Sequence, residues 1–216
     1  MMRFLTYAAA VIMVSACYTP PNIRPAPELS GNYTLDPAHA SVTWSLSHAG
    51  LSQYTARFDT LSGILDYNAT SPELSRVDIR IDAASVNTGL PDFDETIAYD
   101  PRYFGAKTYP EIRYVSGDIK KLSDNKGIMS GDLTFRGQTH PVALNVTFNG
   151  AGTSFGHPGK TLGFSASGEL KRSDFGLTYL SNFGIGAKVT LRIEAAFNEK
   201  QDCWALRFYR PAPMLS

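Results

Sequence analysis

Apolar and polar residues alternate one for one through most of this chain, a period that suits a half-buried β-strand and little else. Val42, Trp44, Leu46 and His48 share one face, opposite Ser41, Thr43, Ser45 and Ser47. Val77, Ile79, Ile81 and Ala83 lie opposite Asp78, Arg80 and Asp82, and Leu162-Phe164-Ala166 and Val189-Leu191-Ile193-Ala195 repeat the pattern. With the runs near Gly63 to Tyr67, Ile112 to Ile119, Met129 to Phe135 and Val142 to Phe148, about eight strands emerge, joined by turns rich in glycine and asparagine. The sharpest unit is a hairpin. Met129, Gly131, Leu133 and Phe135 run out on one face, Arg136-Gly137-Gln138 reads as the turn, and Val142, Leu144, Val146 and Phe148 return. An antiparallel barrel and a sandwich are the two architectures open to such a chain, and a barrel of about eight strands has just room for one small ligand.

One stretch breaks the alternation. Between Leu90 and Gly105, Phe93 and Ile97 are four apart, and Asp100-Pro101 reads as a helix start, with Asp as N-cap and Pro at the first helical position. One or two short helices with an apolar side of Phe93, Ile97 and Phe104 are expected there, as a lid over a barrel mouth or as a plug completing the core.

The N-terminus carries an address. Met1-Met2-Arg3 and the apolar run from Phe4 to Val14 read as a secretory signal, too short to span a bilayer. The run ends Val14-Ser15-Ala16-Cys17, like a bacterial lipobox, with Cys17 as the lipidated new N-terminus; ordinary cleavage near Ala16 is the alternative. More than one acyl chain, at about 0.8 kcal/mol per buried methylene, gives lasting attachment. Tyr18 in place of Asp points to the outer membrane. Pro20, Pro21, Pro25 and Pro27 make residues 17–30 a semi-extended tether behind the 1–16 signal. If Cys17 is acylated, Cys203 has no partner in the chain; without lipidation a bridge between the two is open in an oxidising periplasm. The β domain is expected over 31–199. An extension, 200–216, carries Trp204, Leu206, Phe208 and Tyr209, too apolar for an idle tail.

Chemistry is sparse. Lys and Arg total 20 against 20 Asp and Glu, with no basic run, so nucleic acid is not an expected partner. Gly152-Thr153-Ser154-Phe155-Gly156 fits a nucleophile elbow in letters only, because His157-Pro158-Gly159 follows where a helix belongs and no histidine comes later. Gly159-Lys160-Thr161 and Gly184-Ile185-Gly186 run into strands instead of helices, which excludes phosphate-loop and dinucleotide fingerprints. His39, His48, His140 and His157 show no metal-ligand spacing. His48 is the polar residue to watch. It shares the face of Trp44 and Leu46, so it either meets a ligand's oxygen or sits as a core histidine bonded to a backbone carbonyl.

Several blocks in order resemble the YceI-like family: Tyr33-x-Leu35-Asp36-Pro37-x-His39, Ser85-Val86-x-Thr88-Gly89, Tyr103-Phe104, Tyr109-Pro110-x-Ile112, the run from Gly131 to Val142, and Arg172-Ser173-Asp174-Phe175-Gly176. The resemblance spans about Tyr33 to Phe197. It implies an all-β, antiparallel, lipocalin-like barrel that holds an isoprenoid lipid in the bacterial envelope. Asp36-Pro37, Gly89, Gly137 and Gly176 read as turn residues, and Arg172 and Asp174, two apart, as a structural pair. The chain departs from the pattern at Ala56-Arg57-Phe58 and at Asp92-Phe93-Asp94-Glu95-Thr96. The latter carboxylates favour a neutral or cationic head group over a pyrophosphate.

The expectation is therefore a lipid carrier or store, periplasmic and anchored through Cys17. Trp44, Leu46, His48, Phe58, Ile112, Tyr114, Leu133, Phe135 and Phe164 line its tunnel, with Phe93, Ile97 and Phe104 near the mouth. A bound isoprenoid or quinone is the expected ligand, with no cofactor, catalytic residue or metal. The membrane and a second copy of the chain are the other expected partners. Two alternatives stand beside this: an enzyme using His48 as base on a small hydrophobic substrate, and a structural envelope protein with a filled core.

Overall fold

A computed structural model describes residues 20–154 and 156–200. The signal, Cys17, Cys203 and the C-terminal extension lie outside the described residues. Ten strands and one helix follow in order: β1 (Gly31–His48), β2 (Ser52–Phe58), β3 (Leu61–Tyr67), β4 (Arg76–Asp82), β5 (Val86–Asn87), α1 (Pro91–Tyr99), β6 (Glu111–Lys121), β7 (Lys126–Phe135), β8 (Gln138–Thr153), β9 (Lys160–Lys171) and β10 (Ile185–Glu199).

All pairings are antiparallel, and β10 closes back onto β1. One edge of β1 carries β3 opposite Gly31 to Thr34 and β2 opposite Val42 to His48. Thus β2 and β3 run head to tail, broken at Asp59-Thr60, and share one position in the wall. The result is a closed eight-position barrel of the expected lipocalin-like kind, and closure leaves no long edge to aggregate. Asp36-Pro37 makes no turn between strands. It lies in a register shift of β1 between Leu35 and Ala40, where Pro37 has no N–H to offer the ladder. Asp36 stabilises the shift by accepting from Ala38 N (3.0 Å), His39 Nδ1 (2.9 Å) and Asn198 Nδ2 (3.0 Å).

The hairpin turn is tighter than expected. Phe135 pairs with Gln138, so Arg136 and Gly137 alone reverse the chain, at φ 51° and 72°, the mirror-image turn that matches strand twist. Gln138 belongs to β8. Inside the barrel, the space beside Gly131 belongs to Tyr114. A Cβ on Gly131 would lie 2.6 Å from the Tyr114 ring.

At what we term the upper end lie the β1–β2, β7–β8 and β9–β10 turns and the segment holding α1. The lower end has the β3–β4, β6–β7 and β8–β9 loops and residues 20–30. Among the described residues there is one α-helix, and it starts at Pro91, not Pro101. Asp100 follows its last residue, and its carboxylate accepts from Arg102 N at 2.8 Å. Ile97 and Ala98 are buried, and Phe104, folded back by a Phe104 N to Ile97 O bond of 3.0 Å, packs on Trp44, Phe58 and Phe135. From Pro20 on, the proline-rich segment is seated on the lower end instead of standing free. Asn22 exchanges two backbone hydrogen bonds with Ala151 (2.8 and 2.9 Å), Leu29 is buried, and its carbonyl accepts from Tyr33 Oη at 2.8 Å.

Candidate functional site

The inward faces of the strands enclose a cavity of about 490 Å³. That is within the range of cavities that hold small ligands. The structure places all twelve expected residues on its wall. Trp44, Leu46 and His48 come from β1, Phe58 from β2, Ile112 and Tyr114 from β6, Leu133 and Phe135 from β7, Phe164 from β9, and Phe93, Ile97 and Phe104 from α1 and the loop after it. Period two explains the nine on strands: every second residue of a barrel strand faces inward.

Several wall residues were passed over. Tyr54 lies two residues before Ala56 on the inward face of β2, opposite Leu46, so the same alternation could have found it. Tyr67 and Phe148 stack at 6.0 Å and meet Phe164 at 5.9 and 5.4 Å, forming an aromatic cluster in the lower half. Arg102, Tyr103, Arg172 and Tyr179 complete the upper end. No local pattern announces them, because they meet only through the loops.

His48 is not a core histidine. It is exposed, at the end of β1, and its ring has no hydrogen-bond partner among the described residues. Asp92, Asp94 and Glu95 do not line the cavity. Asp94 instead turns to Thr88, accepting from its backbone N (2.6 Å) and its hydroxyl. These carboxylates therefore do not favour a neutral or cationic head group in the cavity.

Arg172 does not pair with Asp174. Only 7% exposed, it uses all five N–H donors on the loop that follows β9 and on the start of β10: Nε to Gly186 O (2.9 Å), Nη1 to Leu177 O (2.7 Å) and Tyr179 O (2.9 Å), and Nη2 to Ser181 Oγ (2.9 Å) and Ile185 O (3.1 Å). No carboxylate lies within salt-bridge distance among the described residues, and burial pushes its pKa down. Arg102 is held otherwise. Its guanidinium grips Asp100 (2.6 to 3.1 Å), donates to Tyr179 Oη (3.1 Å) and lies 4.5 Å over that ring. Arg136 donates to Pro101 O (2.9 Å), tying the hairpin tip to the loop after α1. These three arginines assemble the upper end from separate loops.

Tyr114 shows what a satisfied wall hydroxyl looks like. Its Oη lies 3.2 Å from both Met129 O and Val142 O, which share its one proton, and burial pushes its pKa to about 12. Trp44 Nε1 and Tyr54 Oη are also buried, yet neither has a partner among the described residues.

Known proteins share this architecture. The chain is similar to the UPF0312 protein of Pseudomonas putida, at 32% identity over 152 residues, which cover 69% of this chain and 78% of that one. A crystal structure of the Campylobacter jejuni YCEI protein matches with a TM-score of 0.65 at 30% identity, over 72% of this chain and 90% of that one. A polyisoprenoid binding domain from Saccharophagus degradans has the same fold, with a TM-score of 0.56 at 19% identity, over 78% and 98%. The YceI-like domain model matches residues 33–197, so the segment from Tyr33 to Phe197 is that domain, and the chain belongs to the YceI-like family.

Proposed function

We propose that this protein captures an isoprenoid or related amphiphilic lipid, of polyprenyl or quinone type, inside the barrel, and carries or stores it in the bacterial cell envelope. The cavity is the observation that carries this reading. A filled core would leave no such space, since protein interiors pack with few voids larger than a water molecule. Most of its wall is apolar side chains, with charged residues gathered toward the two ends, which suits a prenyl tail. Burying several hundred Å² of tail removes about 10 kcal/mol of apolar exposure before ordering costs, enough for stable capture. The Saccharophagus domain of the same fold, named for polyisoprenoid binding, agrees with this reading.

Lipidation of Cys17 would hold the barrel at a periplasmic membrane surface, and Tyr18 favours the outer membrane. The test is mass spectrometry of protein purified from a bacterial envelope. A stoichiometric prenyl lipid in the organic extract, and acyl chains on the peptide that begins at Cys17, are the expected results. An extract that stays empty after incubation with membrane lipids would sink the carrier reading, and an unmodified Cys17 would sink the anchor.

A further inference from the structure

Of the buried polar side-chain atoms without a partner among the described residues, Trp44 Nε1 and Tyr54 Oη belong to two residues of the cavity wall. Trp44 is 9% exposed. The two sit on paired strands, Trp44 opposite Ala56 and Tyr54 opposite Leu46, with ring centroids 6.1 Å apart. Two unmet donors side by side are costly, because each loses its solvation with nothing in return. Tyr114, on the same wall, spends its hydroxyl on two carbonyls, so an unmet wall hydroxyl is not the habit of this barrel. The indole N–H can only donate, so whatever satisfies it is an acceptor.

Resting on the lipid-binding reading above, we propose that this corner of the upper cavity is a head-group subsite for a neutral, planar ring bearing carbonyl oxygens, with Trp44 Nε1 and Tyr54 Oη as its hydrogen-bond donors. The surroundings fit a flat ring. Phe104 meets Trp44 at 6.1 Å and Phe93 meets Tyr54 at 6.1 Å, both edge to face, and Phe58 stacks on Phe104 at 5.8 Å. Offset and edge-on aromatic contacts are what such a ring would join. In the structure both donors are covered by protein, and Phe93 and Phe104 belong to α1 and its following loop. A ring reaches the donors when these two side chains change rotamer.

Charge decides between acceptors. A prenyl phosphate also accepts hydrogen bonds, but burying its charge without a free cation costs several kcal/mol. Among the described residues the upper wall has two arginines, and both are committed, Arg172 to four carbonyls and a hydroxyl and Arg102 to Asp100, while the cavity's other cations, Arg76, Lys121 and Lys126, line its opposite, lower end. A neutral quinone-type head needs no counter-ion. The preference for a neutral head therefore comes from these donors and arginines, not from the helix carboxylates.

The test compares three ligands with one tail: farnesyl-benzoquinone, farnesene and farnesyl diphosphate, each titrated into the full-length protein after removal of bound lipid. The quinone is expected to bind at least about tenfold tighter than the diphosphate. Tyr54→Phe and Trp44→Phe should each weaken the quinone by about fivefold to tenfold more than they weaken farnesene. Infrared difference spectra add a reading independent of any variant: the quinone carbonyl stretch should fall on binding to the native protein and move back up in Tyr54→Phe. A diphosphate that binds as tightly as the quinone, or a carbonyl stretch unmoved from its value in hexane, overturns the subsite. Failure of all three ligands, farnesene included, overturns the lipid-binding reading itself, and the subsite with it.

Discussion

The two ends of the barrel are finished by different physics. At the upper end, separate loops are knitted by three arginines, and Phe104 is driven down among Trp44, Phe58 and Phe135. At the lower end, a single segment, Pro20 to Ser30, is laid across the opening and held by the Asn22–Ala151 bridge and the burial of Leu29. The upper closure is a lattice of polar contacts between separate loops. The lower one is a short strip of chain outside the long ladders of the wall. The difference teaches that one end is held by side-chain hydrogen bonds reaching between loops and the other by one backbone bridge and one buried leucine.

The largest expected effect comes from breaking the upper lattice. Arg172→Leu takes the donors from four half-buried carbonyls at once, and should cost about 3–5 kcal/mol, read by urea unfolding. Arg172→Lys keeps the charge but loses the fork of five donors, and should recover less than half of that loss. Full recovery by lysine would mean that charge, not geometry, holds the upper end. At the lower end the sensitive position is Gly150, at φ 132°, where a Cβ would stand 2.9 Å from Pro21 and 3.0 Å from Asn22 O. Gly150→Val should cost about 2 kcal/mol, because it combines backbone strain with loss of the bridge. It should also make residues 20–30 far more open to limited proteolysis while the wall stays folded. If both ends failed together in that variant, the comparison would be wrong.

The wall of the cavity was legible because alternation is a property of neighbours in sequence. All twelve expected residues reached it, and the hairpin from Met129 to Phe148 paired as read, apart from its turn. The closures were not legible, since each depends on which distant groups meet. Arg172 beside Asp174 suggests a pair in sequence, yet its partners lie five to fourteen residues onward on carbonyls that sequence does not advertise. The helix shows the limit of local rules. Pro91 and Pro101 both offer a start, but Pro101 meets Gly105 four residues on, whereas Pro91 has a clear run to Tyr99 with Ile97 and Ala98 to bury. Likewise, nothing in the letters could show that Tyr114 finds carbonyls while Tyr54 does not.

The smallest expected effect tests the wall between the ends. On its outer face Arg80 and Arg113 stand directly opposite each other, and Asp78 relieves the repulsion by gripping Arg113 at 2.7 and 2.9 Å. The Arg113 hydrogen bonds hold the Asp78 carboxyl below the usual carboxylate range, against a smaller upward push from burial. A group whose pKa is lowered by folding stabilises the fold above its unfolded value, near pH 4, and loses that contribution as pH falls through the lowered one. Asp78→Asn should therefore cost about 1 kcal/mol from pH 5 to 8, with the gap to the native protein closing below about pH 3. Because this pair faces solvent, the variant should hold its lipid as the native protein does. Lipid lost from Asp78→Asn at neutral pH, with the fold intact, would show that the wall and not its two ends governs retention.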